Sequence, residues 1–349
     1  MTRKRVLVAY NAPIREQRGR DIDYVSEAGV LDQVRSVESA LLSKGYEVAV
    51  LALRRSIRPF VDEVSKCRPD AVFNLVEGWR GDSRLHLHFP GLYELLGFEY
   101  TGSPTTALAL TADKWVTKLL LAQAGLPVPR GMLCQGVPAD CDIPYPLIVK
   151  PVFEDASLGI DFDAVVHTLE DVQKRTEWVL QKYQQPALVE QYVDGRELNV
   201  SVVGDRKLEV LPISEITFPF LPENQPRICS YNIKWIESSP EFHSVEAACP
   251  APLDAETTGR LGELAVSAFR LLRCRDYARV DMRLSADNQP YIVEVNANPD
   301  LSPDAGLTRS AMASGRSHVD LVGEIVTCAL RRGQENGHSS APKRGSASH

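Results

Sequence analysis

Features that mark several common protein classes are missing from this sequence. Its 349 residues contain no apolar run near the length of a membrane span. The apolar part of the opening MTRKRVLVAY is too short for the core of a signal peptide and predicts a first strand instead. The net charge of −7 disfavours a non-specific nucleic-acid surface. The seven cysteines include no C-x-x-C pair, so we expect a reduced, cytoplasmic protein without a zinc site or a disulfide framework.

The sequence also lacks the glycine fingerprint of a dinucleotide-binding enzyme. The first predicted strand, RVLVAY at 5–10, is followed by NAPIREQRG and not by G-x-G-x-x-G. An NAD(P)-dependent redox enzyme is therefore disfavoured. What is present is an ordinary globular composition, with 44% hydrophobic and 24% charged residues. A chain of this length suggests two or three lobes.

Strand and helix patterns alternate in the first part of the chain. Strands are predicted at 5–10, 47–53 and 69–78, and helices at 28–44 and 87–97. Strand–helix alternation with short connections predicts a parallel sheet with right-handed crossovers.

The rest of the chain predicts a mixture of helices and strands. Helices are predicted at 105–125, 168–183, 255–272 and 318–332, and strands at 145–150, 187–193, 197–204, 207–215, 277–284 and 290–296. Asp194-Gly195 predicts a tight turn between two extended segments. The stretch 217–240 is proline-rich and aperiodic, which predicts a long functional loop.

One predicted strand, YIVEV at 291–295, carries a carboxylate inside an apolar run and an amide just after it. Side chains two residues apart on a strand share a face, so Glu294, Asn296 and Ile292 are expected on one face. Tyr291, Val293 and Val295 are expected on the other face. Neighbouring carboxylate and amide oxygens suit a hard cation such as Mg²⁺. An exposed edge strand with its polar residues in water is the alternative interpretation.

Other charged residues interrupt apolar segments in the same way. Lys150 ends LIVKP, Glu190 lies in ALVEQYV, and Arg279 and Asp281 share a strand face in ARVDMRL. Buried charges are rarely left unpaired. Metal-capable oxygens on neighbouring strands, with cations on other elements, suit a Mg²⁺–polyphosphate site.

These segments resemble the ATP-grasp superfamily and, more narrowly, the D-alanine–D-alanine ligase family. The resemblance runs from about residue 3 to residue 332 and is strongest over TADKWVTKLLLAQAGLPVP, LIVKP, LVEQYVDGRELNV, ARVDMRL and YIVEVNANP. It implies an α/β protein with the ATP-grasp fold. The implied parts are an N-terminal Rossmann-like parallel-sheet domain (1–104), a small central α+β lobe (105–193), a C-terminal α+β lobe (194–333) with a lid loop (217–240), and a disordered tail (334–349).

The resemblance also implies which residues bind ATP and two Mg²⁺ ions, for which Mn²⁺ is an alternative. The implied ATP ligands are Lys114, Lys150, Ser157, Glu190, Gln191, Tyr192, Val193, Glu197 and Lys234. Among them Lys114 and Lys150 match phosphate-binding lysines, Glu190 matches a hinge carboxylate that faces the adenine amino group, and Glu197 matches a ribose ligand. Residues 191–193 supply the hinge backbone. The implied metal ligands are Asp281, Glu294 and Asn296.

Two of the matched residues are implied to be catalytic. Arg279 matches an arginine that steadies the phosphorylated intermediate, and Lys234 matches a phosphate-contacting lysine on the lid. Ser157 lies where the family has a small-residue phosphate loop, but Asp155 and Ala156 replace the usual small residues there. A carboxylate next to phosphate is unfavourable unless it points away.

The substrate half departs from the family pattern. The segment 11–27 is longer and differently charged, LVEGWRGDSR replaces a glycine-rich histidine motif, and NANPDLSPDAGLTRSA has Asp300 where glycine is expected and Ala305 near the expected serine. The candidate substrate contacts are Glu77, Arg80, Arg84, Asp300, Ser302 and Arg309. Arginine suits bidentate carboxylate binding, and surface charge is the alternative. His86 and His88 are either a functional pair or residues at a helix start.

We therefore expect an ATP-dependent, ADP-forming carboxylate–amine ligase that works through an acyl phosphate. Its partners would be amino-acid or small carboxylic-acid substrates, and a homodimer is compatible with the family. A strict D-alanine–D-alanine ligase is one alternative. A non-catalytic nucleotide-binding module is another, and it predicts broken magnesium ligands.

Overall fold

The computed structural model describes residues 3–13, 29–236 and 238–336. Most of the segment 11–27 and the tail beyond residue 336 thus lie outside the described residues, as do the predictions made for them. No helix in the described ranges combines the length and the apolar composition of a membrane span.

The N-terminal part is a parallel sheet covered by helices. Its strands are β1 (Arg5–Asn11), β2 (Glu47–Leu53) and β3 (Ala71–Leu75), in the order β2-β1-β3. Its helices are α1 (Val30–Ser43), α2 (Ile57–Cys67) and α3 (His88–Leu95). The parallel sheet was predicted, whereas α2 was not, and β3 is shorter than expected because the chain turns away after Val76.

The two helices that follow were predicted as one. They are α4 (Thr105–Ala112) and α5 (Lys114–Gln123), and they meet at Asp113. The Asp113 backbone is extended, and its carboxylate accepts hydrogen bonds from the backbone N–H groups of Trp115 and Val116. An aspartate that caps a new helix in this way ends the previous one.

The central lobe is an antiparallel sheet backed by one helix. Its strands are β4 (Gly131–Cys134), β5 (Leu147–Pro151), β6 (Val165–Val166) and β7 (Ala187–Gln191), in the order β4-β7-β5-β6, and its helix is α6 (Leu169–Tyr183). The strand β4 was not predicted. Apolar residues of α6 and the sheet, Val172 and Val179 among them, form the lobe's core.

The C-terminal lobe contains the largest sheet. Its strands are β8 (Gly195–Gly204), β9 (Glu209–Val210), β10 (Ser214–Thr217), β11 (Glu246–Ala248), β12 (Asp276–Ser285) and β13 (Pro290–Asn296), in the order β11-β10-β8-β12-β13 with β9 beside β8. Its helices are α7 (Tyr231–Trp235), α8 (Ala255–Leu271), α9 (Gly306–Ala313) and α10 (His318–Glu335). The predicted α/β architecture with α+β lobes is confirmed.

Several predictions for this lobe need correction. Asp194-Gly195 does not close a hairpin, since β7 and β8 belong to different sheets and the turn links two lobes. The strand predicted at 207–215 is two short strands, β9 and β10. The predicted loop 217–240 contains α7, α9 was not predicted, and α10 extends into the predicted tail.

A β-bulge in β13 changes which residues share a face. Asp281 pairs with Glu294, but the next residue, Met282, pairs with Ile292, so Val293 has no partner on β12. Ile292 therefore packs in the same apolar core as Val295, and not on the Glu294 face as expected. The bulge lets one short strand bury both apolar residues while Glu294 stays on the polar face.

The N-terminal sheet packs directly on the C-terminal lobe. One apolar core joins β1 and α1 to α10 and to residues of the C-terminal lobe, including Tyr277, Leu301 and Leu307. Arg332 on α10 strengthens this junction by donating to both oxygens of the buried Asp276 carboxylate, at 2.5 and 2.9 Å. The N-terminal sheet and the C-terminal lobe are thus packed together next to the polar residues of the predicted site.

Candidate active site

One large cavity lies between the lobes and contains residues from all three sheets or the loops beside them. Its volume is about 1500 Å³. Residues of the predicted metal and lid sites line it, namely Lys234, Arg279, Asp281, Glu294 and Asn296. Predicted substrate contacts line it as well, namely Glu77, Arg80, Asp300, Ser302 and Arg309. The middle of β12, the end of β13 and the segment that follows β3 therefore face one common space.

Two carboxylates on the neighbouring strands β12 and β13, Asp281 and Glu294, each form an ion pair with a cation. Asp281 lies opposite Glu294, and Asn296 lies opposite Arg279. Arg279 donates to both oxygens of Asp281, at 2.7 and 2.8 Å. The Asn199 amide on β8 donates to Asp281 at 2.8 Å. These bonds fix the orientation of the Asp281 carboxylate at the cavity wall.

Glu294 is paired with a lysine from a neighbouring helix. The Nζ of Lys114, at the start of α5, lies 2.7 Å from Oε1 of Glu294. Burial would raise the pKa of Glu294, but Lys114 and Lys150 outweigh burial and lower this pKa to about 2. Glu294 is therefore ionised at neutral pH and can act as a cation ligand.

The donor set fits magnesium better than a transition metal. No group of three His, Cys, Asp or Glu side chains within the described ranges could hold a metal alone. Asp281, Glu294 and Asn296 supply two carboxylates and one amide. Mg²⁺ binds through one or two carboxylates and takes its other oxygens from water and phosphate. The residues present therefore fit Mg²⁺ that arrives with a polyphosphate.

Lys114 also holds the loop predicted to bind phosphate. Its Nζ donates to the Glu154 carbonyl at 2.6 Å and lies 3.1 Å from Oδ1 of Asp155. Burial acts to lower the pKa of Lys114, but Glu294 and Asp155 more than compensate and raise it. Asp155 thus has a cation partner, which reduces the repulsion between its carboxylate and a phosphate group.

The predicted phosphate loop and the predicted lid loop are in contact. The Ser157 hydroxyl donates to the Cys229 carbonyl at 2.8 Å, and the Trp235 indole donates to the Ala156 carbonyl at 3.0 Å. Ala156 and Ser157 both have left-handed backbones, with φ of 54° and 62°. Lys234, beside Trp235, is exposed and lines the cavity.

Two lysines enclose Glu190 at the predicted hinge. The Nζ of Lys118 lies 2.7 Å from Oε2 of Glu190, and the Nζ of Lys150 lies 2.6 Å from Oε1. Burial would raise the pKa of Glu190, but Lys118 and then Lys150 lower it. Sequence reasoning missed Lys118. The available signal was its position one helical turn after Lys114, on the same face of α5.

An arginine that was also missed organises the rest of the hinge. Arg283 lies 2.9 Å from Oε2 of Glu197 and donates to the Val193 carbonyl at 3.0 Å. It follows Arg279 and Asp281 at strand spacing on β12, which places all three on one face. Gln191 ends β7, and the Tyr192 hydroxyl donates to the Arg227 carbonyl at 3.4 Å.

The predicted substrate end contains a polar cluster that joins two lobes. The buried Gln33 amide donates to Oδ1 of Asp300 at 2.8 Å and to Oε1 of Glu77 at 3.2 Å. The Ser302 hydroxyl donates to Asp300 at 2.7 Å. Burial, and then repulsion by Asp300, raise the pKa of Glu77 to about 7. Gln33 was not predicted, because its partners are distant in sequence.

The predicted arginines are placed unevenly around this end. Arg309 donates to the Asp304 carbonyl at 2.8 Å, and Arg80 donates to the Arg55 carbonyl at 3.2 Å, although both line the cavity. Arg84 makes two bonds to Asp82 and is not brought to the cavity wall. The predicted histidine pair separates, since His86 lines the cavity whereas His88 begins α3.

Comparison with known proteins gives a consistent result. A family model described as "D-ala D-ala ligase C-terminus" matches residues 134–327. A D-alanine–D-alanine ligase of Herminiimonas arsenicoxydans is 32% identical over 332 residues, which cover 91% of this chain and 90% of that protein. The uncharacterized protein y4sG of Sinorhizobium fredii is 34% identical over 298 residues, which cover 85% of this chain and 84% of that protein.

Solved structures show the same likeness in fold. A D-alanine–D-alanine ligase from Bacillus anthracis complexed with ATP has a TM-score of 0.74 at 23% identity, covering 96% of this chain and 100% of that one. The VanG D-Ala:D-Ser ligase from Enterococcus faecalis has a TM-score of 0.70 at 19% identity, covering 94% of this chain and 100% of that one.

Proposed function

Because the chain belongs to the D-alanine–D-alanine ligase family of ATP-grasp enzymes, we propose that it activates a small carboxylic acid with ATP and joins it to an amine. It is an ATP-dependent carboxylate–amine ligase. The observation that carries the proposal is the pairing of Lys114 with Glu294 and of Arg279 with Asp281, of which Glu294, Arg279 and Asp281 line one cavity. These four groups have the charges that a phosphoryl transfer between bound reactants requires.

The reaction follows from the weakness of a free carboxylate as an acyl donor. A carboxylate oxygen of the acid takes the γ-phosphoryl group of ATP, which yields an acyl phosphate and ADP. The amine then attacks the carbonyl carbon, inorganic phosphate leaves with its electron pair, and the amine loses a proton. We propose that Arg279 and Lys234, which both line the cavity, neutralise charge on the transferred group. The lid that contacts the phosphate loop keeps water from the acyl phosphate.

Two Mg²⁺ ions, or Mn²⁺ in their place, are the proposed metals. When bound, they would neutralise negative charge on the phosphate groups. Asp281, Glu294 and Asn296 would hold them. The support is the lowered pKa of Glu294 and the fixed orientation of Asp281.

The substrates that we favour are amino acids or small acids other than a pair of D-alanines. The support is the Gln33–Glu77–Asp300 cluster, which stands where the family's substrate motifs are replaced. No cation among the described residues forms an ion pair with Glu77 or Asp300, so this end suits a substrate with a positively charged amino group, which any free amino acid, D-alanine included, supplies. A strict D-alanine–D-alanine ligase is the second candidate, favoured by the 32% identity to enzymes of that name.

The test is phosphate release from Mg²⁺–ATP with a panel of amino acids and small acids, alone and in pairs. Glu294→Gln is the inactive variant, and Glu263→Gln, an exposed residue on α8, is the matched control. Release that requires a particular acid–amine pair and disappears only in Glu294→Gln would support the proposal. Release with D-alanine alone would assign the second candidate. Full release by Glu294→Gln would contradict the assigned metal site.

Other expectations from the sequence stay predictions. They are the domain limits at residues 104, 193 and 333, the cytoplasmic location and the homodimer. A non-catalytic nucleotide-binding module is disfavoured, because all three proposed metal ligands are present and two of them face each other across β12 and β13.

A further inference from the structure

We infer that Lys118 is a positioning residue for the nucleotide base. It holds the Glu190 carboxylate in place and keeps it negatively charged. Lys150 can then leave Glu190 and contact phosphate. The inference rests on the proposed use of ATP and on the expectation that Glu190 faces the base. The inferred role is discrimination between nucleotides, and the sequence pattern assigns no such role to Lys118.

The two lysines approach Glu190 from different elements. Lys118 projects from α5 and reaches Oε2, whereas Lys150 ends β5 and reaches Oε1. The Nζ of Lys118 also donates to the Pro129 carbonyl at 2.7 Å. Lys118 is therefore anchored at two points inside the protein and is not placed to leave them.

Lys150 is less constrained. Among the described residues it has no ion-pair partner other than Glu190. It is also close enough to Glu294 to help lower the pKa of that carboxyl group. Lys150 thus lies between the hinge and the metal end, where it can exchange the Glu190 carboxylate for a phosphate oxygen.

A single lysine could not serve both purposes. Glu190 is only 2% exposed, so a carboxylate left without a cation there would be destabilised by burial. If Lys150 turned to phosphate without a second lysine present, Glu190 would take up a proton or move. Lys118 prevents both, because its ammonium group stays on the other carboxylate oxygen.

The charge on Glu190 determines which base it accepts. An ionised carboxylate can only accept hydrogen bonds, and each of its oxygens has two lone pairs and can accept from two donors. The 6-amino group of adenine is a donor, whereas the 6-oxo group of hypoxanthine is an acceptor. A charged Glu190 therefore favours ATP over ITP, and a protonated or displaced Glu190 does not.

The test is the binding of non-hydrolysable analogues of ATP and ITP to the full chain, measured by calorimetry without acid or amine substrates. The variants are Lys118→Met, Lys118→Gln and Lys118→Arg. Lys174→Met is the matched control, since Lys174 is an exposed lysine on α6. The wild type should prefer the ATP analogue by about tenfold or more, the usual value of a hydrogen bond to a buried charge.

The expected result is a loss of preference that follows the charge. Lys118→Met should bind the two analogues with similar affinity, while Lys118→Arg and Lys174→Met should keep the preference. Lys118→Gln keeps a polar side chain with hydrogen-bond donors but carries no charge. It should therefore lose most of the preference, and it serves if Lys118→Met does not fold.

Two results would overturn the inference. If the uncharged variants bind more weakly but keep the full preference for the ATP analogue, Lys118 has only a structural role. If the wild type binds ATP yet shows no preference, Glu190 does not select the base. A wild type that binds neither analogue would instead overturn the ATP-dependent function, and this inference with it.

Discussion

The raised pKa of Glu77 predicts that a neutral side chain at this position stabilises the protein. Burial and the neighbouring Asp300 raise the pKa from 4.5 to about 7. The folded state therefore binds more protons than the unfolded state between these two pH values. Stability contributed by protonated Glu77 is present at low pH and is lost as the pH rises towards 7. Glu77→Gln removes this loss while its amide oxygen can still accept from Gln33.

The size of the effect can be worked out from the shift. Raising this pKa from 4.5 to about 7 corresponds to about 3 kcal/mol at full effect. The side chain lines the cavity, where solvent can screen part of this cost, so we expect about 1 to 2 kcal/mol at pH 8. For a chain of 349 residues the unfolding entropy makes this a rise in Tm of about 2 °C.

The assay is thermal unfolding of Glu77→Gln and wild type at pH 5 and pH 8, followed by intrinsic fluorescence. The rise in Tm should be present at pH 8 and nearly absent at pH 5. Glu263→Gln, at an exposed position of α8, should change Tm little at either pH. An unchanged or lower Tm for Glu77→Gln at pH 8, or an equal rise at both pH values, would refute the electrostatic reasoning.

Three further substitutions test other parts of the structure. Arg332→Met leaves the buried Asp276 carboxylate without its cation and should lower the free energy of unfolding by about 3–5 kcal/mol, seen as a drop in Tm that Arg332→Lys partly avoids. Asp113→Ala removes the cap of α5 and should cost about 1 kcal/mol by the same measurement, with a smaller loss for Asp113→Asn. Gly159→Ala would place its Cβ 2.6 Å from Cγ of Pro151, so the phosphate loop must shift. The KM for ATP should then rise by about tenfold or more in steady-state kinetics, and an unchanged KM would separate this loop from the nucleotide.

The predicted nucleotide half could be inferred from the sequence because its patterns lie within single strands. Asp281 and Arg279 share a face by strand spacing alone, and Glu294 and Asn296 do so as well. The same rule also puts Arg283, two residues further along β12, on the Asp281 face. It failed for Ile292, because the bulge at Val293 is set by the partner strand and leaves no pattern in β13 itself.

Helix and strand limits failed where tertiary contacts override local preference. Residues 105–125 have the composition of one helix, and only the conformation of Asp113 divides it. The four-residue strand β4 has a weak pattern of its own and is defined by pairing with β7. Such pairing is not visible in a single segment.

The predicted substrate half could not be inferred from the sequence because its contacts join residues that are far apart in the chain. Gln33 and Asp300 are 267 residues apart, and Gln33 and Glu77 are 44 apart, yet all three meet at the cavity. They meet because the N-terminal sheet and the C-terminal lobe share one apolar core. A change at any one of the three positions alters the environment of the other two. The substrate end can thus diverge while the Lys114–Glu294 and Arg279–Asp281 pairs, which use other strands and helices, keep their geometry. This separation gives a physical reason why a chain with this fold can keep the Lys114–Glu294 and Arg279–Asp281 pairs while the Gln33–Glu77–Asp300 cluster changes.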